Sequence, residues 1–142
     1  MRLCFLILLA SVALAEEPAK DDLSELYSKL GAVSPKVVKA GFTILHVEFD
    51  RLAPGGEYTL KRQLSAQNKY KLVGVGSQGI TDLTLRLIDS KGKVEANDPR
   101  PDSVAIVNLV PKISGMFTIK LGARRITGNQ PYFFCLIASK PK

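Results

Sequence analysis

The sequence is poor in the residues that build catalytic and metal centres. Its 142 residues include one histidine, two cysteines and no tryptophan. So few histidines and cysteines cannot supply the ligands that structural zinc sites use. The motifs Gly-x-Ser-x-Gly, His-Glu-x-x-His and the P-loop are also missing. We therefore expect a protein that is not an enzyme, since no catalytic constellation can be assembled.

Long apolar runs are missing after the first few residues. Met1 and Arg2 precede an apolar run over residues 3–9, and the small residues that follow end in Ala13-Leu14-Ala15. This pattern is typical of a secretory signal peptide, which we place at residues 1–15. The run is too short to span a bilayer comfortably. We therefore expect a secreted or periplasmic protein with no transmembrane segment in the mature chain.

Cysteine usage excludes an internal disulfide bond in the mature protein. Cys4 is removed with the signal peptide, which leaves Cys135 alone inside an apolar run over residues 132–137. A thiol in such a run most often packs as a small hydrophobic group. The alternative is a nucleophile paired with His46, which would require the fold to bring the two side chains together.

The charge balance is basic, with a formal net charge of +7 that becomes +6 when Arg2 leaves with the signal peptide. Scattered lysines of this kind usually solvate strand faces and edges. Arg124 and Arg125 fall in a predicted loop over residues 122–130, and they are our candidate anion contact. The aromatic residues alternate inward and form no stacking platform, so we expect no nucleic-acid partner.

The apolar periodicity predicts a short helix followed by many strands. A helix is predicted over residues 21–30, inside a leader over residues 16–40, with Gly31 as its closing residue and Pro35 beyond it. Apolar residues then alternate with polar ones in seven or so short segments, which Gly, Pro, Asn and Asp separate. The last segment, residues 132–138, is apolar on both faces, which favours a central strand.

These segments predict an all-β fold over residues 41–140. Nothing helical lies between the strands to cover a parallel crossover, so antiparallel pairing is expected. Regularly spaced short strands of this kind favour a β-sandwich preceded by one short helix. An open barrel is the alternative architecture.

Acidic and amide side chains gather at the strand ends around one predicted hairpin. They are Asp82, Asp89, Asn97, Asp98 and Asp102. Oxygen ligands of this type suit calcium, and this set is therefore our candidate metal site. Asp and Asn also form turns and cap strands, which is the interpretation we favour for these five. No cofactor is expected, and calcium is expected to bind weakly or not at all.

Several segments occur in an order that resembles a known family. They are residues 55–58, 81–94, 97–98, 102, 110–111 and 114–119. Together they resemble the bacterial pre-peptidase C-terminal (PPC) domain over about residues 41–139. The resemblance implies a jelly-roll-like sandwich of a secreted protein and a motive for an ion site. Thr84 stands where the family pattern has a second Asp, so bound calcium would be held weakly, and Phe117 replaces the usual Tyr.

The sequence thus predicts a secreted, non-catalytic module with a binding or scaffolding role in the envelope or extracellular space. Its partner would be an envelope or extracellular protein or polysaccharide, contacted by loops 76–82, 96–103 and 122–130. One alternative is a small secreted hydrolase of unrecognised type that uses His46 or the acidic set. Another is an accessory subunit of a secreted enzyme, docked through the short helix.

Overall fold

One helix and eight strands follow each other in the computed structural model, which describes residues 22–127 and 131–142. The elements are α1 (Asp22–Lys39), β1 (Thr43–Arg51), β2 (Glu57–Leu64), β3 (Asn68–Gly76), β4 (Ile80–Ile88), β5 (Val94–Asn97), β6 (Val104–Leu109), β7 (Gly115–Ile126) and β8 (Tyr132–Pro141). The predicted signal peptide and residues 16–21 of the leader lie outside the described residues. In the part that is described, no helix is long and apolar enough to cross a membrane.

The strands form two four-stranded sheets packed face to face. Sheet 1 has the order β1-β8-β3-β6, and sheet 2 has the order β2-β7-β4-β5. Every pair of neighbouring strands is antiparallel. Eight strands in this order form a jelly roll, which confirms the predicted sandwich in place of the open barrel.

The core between the sheets follows from strict alternation along the strands. Leu83, Leu85 and Leu87 of β4 are fully buried, while the residues between them are half-buried on the outer face. These leucines belong to the same buried cluster as Phe133 and Ile137 of β8 in the other sheet. Apolar side chains on every second residue therefore hold the two sheets together.

Strand β8 is central in sheet 1, as its apolar character on both faces predicts. Alternate residues such as Cys135 and Ile137 enter the cluster between the sheets. Phe134 and Leu136 face the other way and pack in a second cluster, together with Leu26 of α1. The molecule therefore has three layers, because α1 covers the outer face of sheet 1.

The helix is longer than the predicted segment over residues 21–30, which stops nine residues too early. Val33 and Val37 extend the apolar stripe onto sheet 1, and this packing continues the helix through Gly31 and Pro35. The proline removes one backbone hydrogen bond, and its ring crowds the carbonyl group of residue 31. Both residues are exposed, so water can solvate that carbonyl group.

The helix ends at Gly41 and not at Gly31. Gly41 has φ of 88°, the left-handed conformation that glycine adopts at low cost. Its N–H donates to the carbonyl of Val38 at 2.9 Å, and the N–H of Phe42 donates to Val37 at 3.3 Å. This pair of bonds is a Schellman motif, and Phe42 and Val37 share a buried cluster as the motif's apolar contact.

Replacing each glycine by alanine distinguishes the two positions. Gly41→Ala forces a side chain into the left-handed region and is expected to lower the free energy of unfolding by about 1–2 kcal/mol. Gly31→Ala is the matched control. It lies in an exposed helix interior with no atom within 4 Å of the added Cβ, and it should raise that free energy by about 0.5–1 kcal/mol. Urea unfolding measures both values, and equal effects at the two positions would contradict the assignment.

Candidate functional site

The two ends of the sandwich carry different basic residues. Arg51, Arg100, Arg124 and Arg125 lie towards one end, which we call the arginine end. The opposite end holds the β4–β5 turn at residues 89–93 and the β6–β7 loop at residues 110–114. We call it the lysine end, because Lys91, Lys93 and Lys112 lie there.

The three predicted contact loops meet at the arginine end. The N–H of Gly76 donates to Ser103 at 2.8 Å, and the N–H of Thr127 donates to Gly79 at 2.7 Å. Loops 76–82 and 96–103 and the described part of loop 122–130 are thereby tied together. Residues 128–130 of the third loop lie outside the described residues.

The placement of Arg124 and Arg125 in a loop is wrong, because β7 continues to Ile126. Pairing with β4 extends the strand, since Arg125 lies opposite Asp82 after a register shift. Both arginines are exposed, and Arg124 NH1 lies 3.9 Å from Asp82 Oδ2. The anion contact that we predicted at these residues stays a prediction.

Asp98 is a buried structural carboxylate at the arginine end. Its carboxylate accepts the N–H of Ile106 at 2.8 Å, the N–H of Arg100 at 3.0 Å and the Arg100 guanidinium at 2.6 Å. The hydrogen bond from the Arg100 side chain is the main cause that holds the pKa of Asp98 well below its usual range, against the opposing effect of burial. These bonds fix the β5–β6 loop, as the turn-forming interpretation of Asp98 predicts.

The other acidic residues do not gather around one point. Asp82 and Asp89 lie at opposite ends of β4, about 23 Å apart along an extended strand. Asp102 accepts the N–H of Val104 at 3.4 Å, and Asn97 is exposed at the end of β5. Over residues 22–127 and 131–142, no three histidine, cysteine, aspartate or glutamate side chains form a group that could hold a metal ion.

Asp82 is the acidic residue whose surroundings the turn-forming interpretation does not explain. Its Oδ1 is buried and has no hydrogen-bond partner among the described residues. Its side chain as a whole is 18% exposed, and Arg124 is the nearby cation. In Asp98, by contrast, both carboxylate oxygens have hydrogen-bond partners, which are the Arg100 guanidinium and the N–H of Ile106.

A polar groove lies along the edge where β1 faces β2. A β-bulge at Leu45 turns that residue outward, and it is 57% exposed. His46 and Glu48 then lie opposite Ile137 and Cys135, so they point towards the space between the sheets. His46 Nε2 and Glu48 Oε2 are 2.6 Å apart.

Across this groove β2 contributes Arg62, which lines a cavity of ≈ 370 Å³ together with His46. Tyr58 lies further along β2, and burial followed by the charge of Glu48 raises its pKa to about 12. A bulge and inward-pointing charges on an edge strand also oppose pairing with a foreign strand. The groove therefore has a protective role even without a ligand.

Cys135 has the properties of a core residue and not of a nucleophile. It is 1% exposed, and burial, with a smaller effect of Glu48, raises the pKa of its thiol to about 12. The thiolate is the nucleophilic form of cysteine, and at neutral pH this thiol stays protonated. The fold places His46 and Cys135 on the same face of neighbouring strands without activating the sulphur.

Sequence reasoning missed the lysine end, where a cavity of ≈ 330 Å³ opens between the two turns. Asp89 builds one wall, since its Oδ1 accepts the N–H groups of Lys91 and Lys93 at 2.9 Å each. The bond from Lys93 is the largest cause that lowers the pKa of Asp89. Gly92, with φ of 85°, closes this turn.

Several large apolar side chains are exposed at the lysine end. Ile113 is 77% exposed, the highest value among the exposed large hydrophobic residues, and Met116 and Val110 are 46% and 45% exposed. Ile113 and Met116 both line the cavity beside its lysines. The signal that could have identified this surface is a single isoleucine inside a short polar turn, between Lys112 and Ser114.

Lysines outnumber carboxylates around this cavity and the adjoining outer face of sheet 2. The lysines are Lys61, Lys91, Lys93, Lys112 and Lys120. Lys93 pairs with Glu95 at 3.3 Å, and Lys120 pairs with Glu57 at 3.1 Å. The other three have no acidic partner among the described residues, so the surface carries an uncompensated positive charge.

No protein-family model matches the sequence, and no curated protein is significantly similar to it. The resemblance to PPC domains therefore stays a prediction. The surfaces of the two ends and the groove are the features from which a role can be assigned.

Asp98→Asn tests the structural role of the buried carboxylate. Hydrogen bonds to a charged group are worth about 1.5–3 kcal/mol, so we expect a loss of that size in the free energy of unfolding at pH 7. Because the folded-state pKa is lowered, this stabilisation is present above about pH 4 and is lost as the pH falls further. The difference between wild type and variant should therefore shrink in acid.

Asp102→Asn is the control for this experiment, since Asp102 is exposed and its side chain makes only long hydrogen bonds, at 3.4 Å. It should change the free energy of unfolding by less than about 0.5 kcal/mol. Denaturant titrations at several pH values give both results. An equal loss in the two variants, or a loss in Asp98→Asn that does not depend on pH, would contradict the role of Asp98.

Melting with and without calcium tests the predicted weak metal site. We expect the melting temperature to differ by less than about 5 °C between excess EDTA and about 10 mM calcium, because dispersed carboxylates hold calcium poorly. Differential scanning calorimetry measures the shift. A larger shift that disappears in Asp98→Ala would establish a well-formed site instead.

Proposed function

We propose that this protein is a secreted, non-catalytic jelly-roll module that binds a component of the bacterial envelope or extracellular space through its lysine end. The observation that supports this most strongly is the exposure of Ile113 beside unpaired lysines on a cavity. Large contiguous apolar patches are rare on monomeric proteins and mark sites of interaction. The predicted signal peptide supports the location, and the resemblance to PPC domains supports the class of protein.

The loops at the ends of a β-sandwich are suited to such a role. Both sheets are held by a continuous core, so residues 89–93 and 110–114 extend from a rigid scaffold. The arginine end is less suited, since Asp98 neutralises Arg100 within a closed hydrogen-bond network. Binding through the lysine end replaces our expectation that loops 76–82, 96–103 and 122–130 make the contacts.

Two alternatives make different demands on the structure. A hydrolase would use His46, which Glu48 orients at 2.6 Å in the groove beside Arg62. An accessory subunit docked by its helix would need another surface, because α1 buries its apolar stripe against its own sheet. Hydrolysis of chromogenic esters or glycosides that His46→Ala abolishes would favour the first alternative.

Sedimentation with purified envelope fraction tests the proposed surface. The exported wild-type protein should pellet with the envelope, and Ile113→Asp should bind about ten-fold more weakly, as expected for loss of one buried apolar side chain. Tyr27→Asp is the matched control, because Tyr27 is 60% exposed on α1, away from the lysine end. It should bind as wild type does.

The measurement is the bound fraction against the amount of envelope, with melting temperatures to confirm that both variants are folded. Equal binding of wild type and Ile113→Asp would show that the lysine end is not the contact. Absence of binding in all three proteins would refute the proposed function.

A further inference from the structure

We propose that the component bound by the lysine end is an anionic lipid surface, with Ile113 and Met116 entering the headgroup region and Lys61, Lys91 and Lys112 contacting lipid phosphates. This inference rests on the proposed function, whose surface it shares. It commits that surface to lipid and not to a polysaccharide or a protein.

The apolar part of the surface has the form of an inserting loop. Ile113 lies in the short turn over residues 110–114, where Val110 is also exposed, and the exposed Met116 follows at the start of β7. A side chain that is 77% exposed gains little from the protein's own core. It gains most by entering an apolar layer that lies beyond the turn, as residues at membrane interfaces do.

The charged part of the surface complements anionic headgroups. Lys91 and Lys112 line the same cavity as Ile113, and Lys61 lies next to Met116 on the adjoining outer face. Asp89, one of the two carboxylates that line this cavity, accepts two backbone N–H groups of its own turn. Flexible lysine side chains around an apolar tip can each contact phosphates of an anionic leaflet.

The composition of the surface argues against a protein or a sugar polymer. Protein interfaces are enriched in aromatic residues and depleted in lysine, whereas this surface is rich in lysine and its large exposed apolar side chains are not aromatic. Aromatic faces also supply large, rigid apolar contacts, and the exposed aromatic residue among the described large hydrophobic side chains is Tyr27, on the helix. Lysine with isoleucine and methionine therefore fits a lipid surface best.

Co-sedimentation with vesicles tests the inference. The exported protein should bind vesicles of phosphatidylglycerol mixed with phosphatidylcholine and should not bind pure phosphatidylcholine. Added salt should weaken the binding, because the lysine contacts are screened. Ile113→Asp is expected to bind about ten-fold more weakly, with Tyr27→Asp as its control.

Lys112→Gln tests the charged contacts separately. Removing one lysine from an anionic leaflet should weaken binding about five-fold. Lys36→Gln removes the same charge on α1, where Lys36 is exposed, and it should bind as wild type does. Both substitutions are on the surface, so their melting temperatures should match that of wild type.

Three outcomes would overturn the lipid proposal. The first is no binding to anionic vesicles, and the second is binding that Ile113→Asp leaves unchanged. The third is equal weakening by Lys112→Gln and Lys36→Gln, which indicates adsorption through overall charge. If vesicles fail but the envelope fraction still binds in an Ile113-dependent way, the proposed function stands with a partner other than lipid. If neither binds, both proposals fall.

Discussion

The fold depends on the burial of β8 on both faces. Cys135 and Ile137 fill the space between the sheets, while Phe134 and Leu136 pack against α1. A strand with an apolar residue at every position can be accommodated only where protein covers both of its faces. The central place of β8 in sheet 1 and the position of the helix above it both follow from this constraint.

Much of this arrangement is predictable from the sequence, because period-two alternation and double-sided strands are local signals. The sandwich, the antiparallel pairing and the central β8 are confirmed on that basis. The end of α1 is not predictable locally. Gly31 and Pro35 are stop signals, but contacts of Val33 and Val37 with sheet 1 outweigh them. The extension of β7 to Ile126 likewise depends on pairing with β4, which no local pattern reveals.

The candidate site was less predictable than the fold, for a physical reason. Acidic residues near turns suggest a metal site by their chemistry, but strand length separates Asp89 from Asp82, and Asp98 already satisfies Arg100 and two backbone N–H groups. The lysine end depends on which side chains remain exposed and which charges remain unpaired. Both are properties of the folded surface. The one sequence feature that points to them is Ile113, an isoleucine inside a short polar turn.

The pairing of β1 with β8 also sets the order of events during folding. Thr43 lies opposite Ser139, so the first strand of the sandwich is completed by the last. Both buried clusters need residues of β8, and neither can close before residues 133–138 are available. Such non-local pairing slows folding. Until residues 133–138 are available, a chain exported as we propose lacks part of both cores, and it therefore stays without the native fold that a narrow translocation channel would exclude.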